Sequence, residues 1–206
     1  TWSLSPDAGY LEPVHRQGAG LLDMVGAVHG TTRVDEPTIS LGEGENGPQA
    51  VTLTVSNDSA TEQTYQVGVR HGIATGHPTY NPAFYEAEGI AEPAADTVTV
   101  PAGGSTELSV TLGEDFGADG IIYGGWITLT GAEDDIVVPF AGLSGDYQAL
   151  PILDDQGMGL PALGVSDGDG GVLLAPEGGR TYTMQDGDIP YLAYYFGYPV
   201  DRLEIP

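Results

Sequence analysis

Residues 49–57, read as Gln-Ala-Val-Thr-Leu-Thr-Val-Ser-Asn, set Val51, Leu53 and Val55 against Thr52, Thr54 and Ser56 in strict alternation. Side chains of an extended strand point alternately to opposite faces, so this run makes one apolar and one polar face and disfavours a helix. The same period returns in Tyr65, Val67 and Val69, and in Tyr123, Ile127 and Leu129, with Trp126 on the opposite side from those three. Thr38–Leu41 is short and extended. The runs around Val98 and Leu108 predict a hairpin turning through Gly103-Gly104, and a tight acidic turn at Glu133-Asp134-Asp135 joins the last two strands. Seven strands counted between residues 37 and 142, spaced by turn signals, predict an all-β, seven-stranded β-sandwich. The 32 glycines and 15 prolines of the 206-residue chain supply the turns that such a fold needs.

The flanks differ from this middle. In residues 1–30 Asp23 is a good N-cap, and Met24, Val25, Ala27 and Val28 make a short helical segment that His29-Gly30 ends. Residues 71–95 read as an irregular excursion whose aromatics, from 77 to 90, either pack down as a lid or form a binding platform. Beyond Gly145 the chain becomes linker-like, then offers two more strands, Gly171–Pro176 and Ile189–Pro206. This C-terminal β extension is expected to belong to a second sandwich whose remainder is absent. The expected division is therefore 1–30, a sandwich over 31–146, and a linker with a partial second β-domain over 147–206.

Thirty acidic residues face only five arginines and no lysine, for a net charge of −25. A phosphate backbone or an anionic membrane needs cationic contacts, so nucleic acid is excluded as a partner and membrane insertion is not expected. No apolar run approaches the ~18–20 residues that span a bilayer. Such a surface suits either a salt-adapted source or an acidic secreted protein. With no cysteine, disulfides, thiolate metal sites and cysteine nucleophiles are ruled out.

Few residues suggest chemistry. Ser144, in Gly142-Leu143-Ser144-Gly145, lacks the G-x-S-x-G spacing of a nucleophile elbow, and no base stands near it in sequence. His71 and His77 flank a short loop without a standard zinc spacing or an evident third ligand. Asp167 and Asp169 form a D-x-D-G run like the front half of a calcium loop. Position twelve of that loop is Gly178, with Glu177 one step off, so an acidic turn competes with a calcium site. No catalytic residue and no organic cofactor is assigned.

Three blocks together resemble a known family. Residues 17–28, Gln-Gly-Ala-Gly-Leu-Leu-Asp-Met-Val-Gly-Ala-Val, are similar to the closing segment of the catalytic domain in subtilisin-like serine proteases. The block from Val51 to Val67, with an Asn ending one strand and a Tyr in the next, resembles the fibronectin-III-like sandwich that follows it in the large members. Residues 123–131 and 135–147 resemble that sandwich's last strands. The resemblance implies a fibronectin-III/Ig-like fold and a non-catalytic accessory region of an extracellular endopeptidase. Such a region would brace the catalytic domain and reach protein substrates through it. The family's Asp, His and Ser motifs do not occur here, so no catalytic role passes to any residue of this chain. A different class of reading is a free-standing fibronectin-III-like adhesion or cell-surface binding module.

Overall fold

The computed structural model describes residues 11–76, 82–132, 134–155, 157–176, 178–198 and 200–204. Two short helices come first, α1 (Val14–Gln17) and α2 (Met24–His29). The strands that follow are β1 (Thr32–Val34), β2 (Ile39–Glu43), β3 (Gln49–Asn57), β4 (Gln63–His71), β5 (Ala74–Gly76) and β6 (Ala83–Tyr85). Next come β7 (Ile90–Pro93), β8 (Thr97–Val100), β9 (Ser105–Gly113), β10 (Ile122–Thr130) and β11 (Asp135–Leu143). They form two sheets of order β1-β3-β9-β7 and β2-β11-β10-β4-β8, with β5 pairing β10 and β6. All pairs are antiparallel except β2 with β11. The fold is an all-β sandwich, and the long alternating runs are its long strands. The stretch after His71 adds short strands instead of staying irregular.

Both sheets supply one core. Leu53, Val55, Leu108, Val110 and Leu112 from the first sheet meet Tyr65, Val98, Val100, Ile127, Leu129, Val138 and Phe140 from the second. Leu53, Val55, Val100, Val110, Ile127 and Leu129 have no exposed surface at all, so the alternation seen in the sequence is the inward face of the sandwich.

The expected hairpin through Gly103-Gly104 is corrected. β8 pairs with β4 and β9 pairs with β3 and β7, so the turn carries the chain from one sheet to the other. Alternation cannot separate a hairpin from such an arch, because both leave Val98, Val100, Leu108 and Val110 facing the same core. A tertiary polar contact fixes the choice. The buried Asn57, at the end of β3, donates from Nδ2 to the carbonyls of Thr61 (2.8 Å), Val100 (3.3 Å) and Pro101 (3.2 Å). Its backbone N–H donates to the Gly104 carbonyl at 2.9 Å. One side chain thereby ties β3 to the crossing.

The chain divides into two compact units, the second beginning at Pro151. In this second unit β12 (Ala162–Ser166) lies between β13 (Val172–Leu174) and β14 (Tyr191–Ala193). The expected long aromatic strand stops at Ala193. Beyond it Tyr194 and Phe196 pack on each other, ring centroids 4.8 Å apart, and Phe196 bridges to Leu153. Among the described residues, no helix is long and apolar enough to cross a membrane.

Candidate functional site

Residues 11–30 are built in two halves. In the first, Pro13 and Val14 are buried on the outer face of the second sheet. Pro13 opens α1, where its missing N–H costs nothing. Gly18 closes it at φ +55°, a conformation that a side chain would resist. That turn aims the Gly18 carbonyl at Trp126, whose Nε1 donates to it at 2.6 Å. Trp126 is 1% exposed although it points away from the core, because this segment covers it. Gly72 and Gly124 make the bed. A Cβ on Gly124 would collide with Val14 and the Phe140 carbonyl, and one on Gly72 would lie 3.0 Å from the Glu12 carbonyl and 3.3 Å from the Trp126 ring. The Leu11 carbonyl accepts from the Ile73 N–H at 3.0 Å, and Arg16 pairs with Glu12 while lying over the Phe84 ring.

The second half faces solvent. Asp23 caps α2 as its sequence position predicts, its Oδ1 accepting from the N–H groups of Val25 and Gly26 at 3.0 Å each. No residue of α2 is buried. Leu21 is 90% exposed, and Leu22, Met24, Val25 and Val28 are each more than half exposed. Five large apolar side chains within eight positions are left exposed, and exposed apolar side chains grouped in this way mark a candidate contact site. The chain then enters β1, where buried Thr32 accepts a hydrogen bond from the Tyr65 hydroxyl at 2.6 Å. Between α2 and the β10–β11 turn lies an open groove of about 670 Å³, lined among others by Leu22, Asp23, Ala27, Asp134, Asp135 and Ile136.

The other sequence candidates, where described, make local hydrogen bonds or packing contacts. Ser144 is fully buried. Its Oγ accepts from the Ile121 N–H at 2.9 Å, and its own N–H donates to the Ile121 carbonyl, so it locks the end of β11 to the loop before β10. His71 sits edge-on to Phe140, and burial lowers its pKa from the usual 6.5 despite the upward pull of Glu88. His77 lies outside the described residues, as do Tyr80, Glu133 and Glu177. Asp167 and Asp169 lie in the β12–β13 turn, where Asp167 Oδ1 accepts from the N–H groups of Asp169 (2.9 Å) and Gly171 (2.8 Å). Those bonds hold its carboxyl below the usual carboxylate range. Among the described residues no three His, Asp or Glu side chains gather as a metal site. What sequence reasoning missed is the bond between Trp126 and Gly18. Its only trace was a tryptophan on the polar side of a strand with a glycine beside it.

A family model described as an Fn3-like domain matches residues 39–141, half of the chain. The chain belongs to the Fn3-like domain family. The match runs from β2 to β11, so the covering segment 11–30 and the second unit lie outside it. No curated protein matches this Fn3-like chain in sequence. Among solved structures, a PapD-like domain of human CEP192 is 9% identical, with a TM-score of 0.43 over 55% of this chain and 84% of that one. A FixG-related protein from Vibrio parahaemolyticus is 21% identical, with a TM-score of 0.33 over 49% of this chain and 81% of that one. WR4, an MSP family member of C. elegans, is 14% identical, with a TM-score of 0.33 over 55% and 99%. At those scores none of the three bears on function.

Proposed function

We propose that this Fn3-like chain is a non-catalytic accessory region of a secreted subtilisin-like serine endopeptidase. Residues 11–30 dock on the catalytic domain, and the sandwich braces that domain and helps frame its substrate cleft. The observation behind this reading is the split character of the segment. One half is fastened to the sandwich through Val14, Trp126 and Gly18, while Leu21, Leu22, Met24, Val25 and Val28 stand uncovered on the other. Exposed apolar side chains grouped on one segment are the kind of surface that a partner covers. The similarity of residues 17–28 to a protease closing segment supports a protease catalytic domain as that partner, with protein substrates reached only through it.

The gene tests this directly. The expected finding is a G-T-S-M-A serine block in frame shortly upstream of Thr1. A signal peptide directly before Thr1 would favour the adhesion module and sink the protease reading. The isolated chain is expected to leave casein intact, and hydrolysis blocked by a serine-directed inhibitor would contradict it.

A further inference from the structure

The groove between α2 and the β10–β11 turn has a definite chemistry. Among the described residues it is lined by the apolar Leu22, Ala27, Ile136 and Val137 and by the acidic Asp23, Asp134 and Asp135. No arginine or histidine lines it among the described residues. Asp23 uses Oδ1 for the α2 cap, and the other two carboxylates sit on a turn closed by backbone bonding between the Gly131 N–H and the Asp134 carbonyl. The groove adjoins the uncovered face of Leu21, Met24 and Val25.

We infer that this groove receives an arginine side chain carried on an apolar segment of the partner protein. An arginine has an aliphatic stem to lie along apolar residues such as Leu22 and Ile136, and a planar fork whose donors match carboxylate geometry. Its apolar neighbours would cover α2. A second copy of this chain is the weaker occupant, since two bodies of charge −25 repel each other. The inference rests on the reading of residues 11–30 as a docking segment, and adds what the partner must present to it.

The test is an amide NMR titration of the 15N-labelled full chain with two peptides. One is acetyl-Leu-Arg-Leu-Leu-amide and the other carries citrulline, the neutral isostere, in place of arginine. The arginine peptide is expected to shift the amides of Gly26, Gly30, Gly131 and Ala132. The citrulline peptide should bind about fivefold more weakly, as should the arginine peptide with the Asp134→Asn/Asp135→Asn variant. Equal binding of the two peptides, shifts elsewhere, or no shifts would overturn the inference. The two readings fail separately. A gene without an upstream protease removes the protease but not the groove's preference for arginine, whereas equal peptide binding removes the arginine and leaves the docking segment.

Discussion

Trp126 joins two parts of the chain by a single polar contact, and its burial depends on the segment that accepts that contact. Replacing it by Phe keeps most of the ring and removes the donor to Gly18, leaving a carbonyl without its partner. Trp126→Phe is expected to cost about 1 kcal/mol in urea unfolding and to expose residues 11–18 to protease. Asn57 has more at stake, since its amide serves three carbonyls at the crossing between sheets. Asn57→Ala should cost about 2–3 kcal/mol in the same assay, because buried acceptors are left unpaired. His71 supplies a pH dependence. Its Nδ1 is buried without a partner among the described residues, and burial favours the neutral ring. The folded-state pKa lies below the unfolded value of 6.5, so the unfolded chain binds the proton first, and stability falls as pH drops through that value toward the folded one. Comparing the wild type with His71→Gln isolates this effect, since the carboxylates titrate in both. The wild type should lose more stability than the variant as pH falls through the histidine range. Parallel curves would show that the ring carries no such penalty.

At the level of elements, the long strands were legible in the sequence and their neighbours were not. Val51, Leu53 and Val55 announce β3 because burial of one face imposes a period that no other local structure satisfies. The same period says nothing about which sheet a strand joins, so the pairing of β8 waited on Asn57, more than forty residues away in sequence. The α2 cap was readable because Asp23 acts on its own next two or three residues. The covering of Trp126 was not, because Gly72, Gly124 and Gly18 are distant in sequence and act together. Their joint role makes a prediction about α1. Gly124→Ala puts a methyl group where Val14 and the Phe140 carbonyl already lie, so the α1 segment must lift away. The expected result is faster amide exchange over residues 11–18, with β3 and β9 unaffected. Exchange unchanged in that segment would mean the sheet yields instead.

Across the whole molecule, charge sets how stability responds to the solvent. Thirty acidic side chains against five arginines repel one another in any compact arrangement, and the ion pairs described between Arg33 and Asp58 or Arg180 and Asp188 are at least partly exposed and offset little of that repulsion. Folding brings these charges closer, so screening them favours the folded chain. Sodium chloride should therefore raise the melting temperature, by about 2–4 °C for each kcal/mol of repulsion removed in the larger unit and about 4–8 °C in the smaller. Two compact units allow two transitions, and each should move upward. The calcium proposal at Asp167 and Asp169 separates from this general effect by comparison at equal ionic strength. A real site would make calcium chloride stabilise the second unit beyond sodium chloride, and Asp167→Asn would abolish the excess. In that variant the turn also loses the carboxylate that its Asp169 and Gly171 amides engage. Asp169→Asn spares those bonds and is the cleaner arm. Equal effects of the two salts on the wild type would leave the β12–β13 turn as a hydrogen-bonded turn and nothing more.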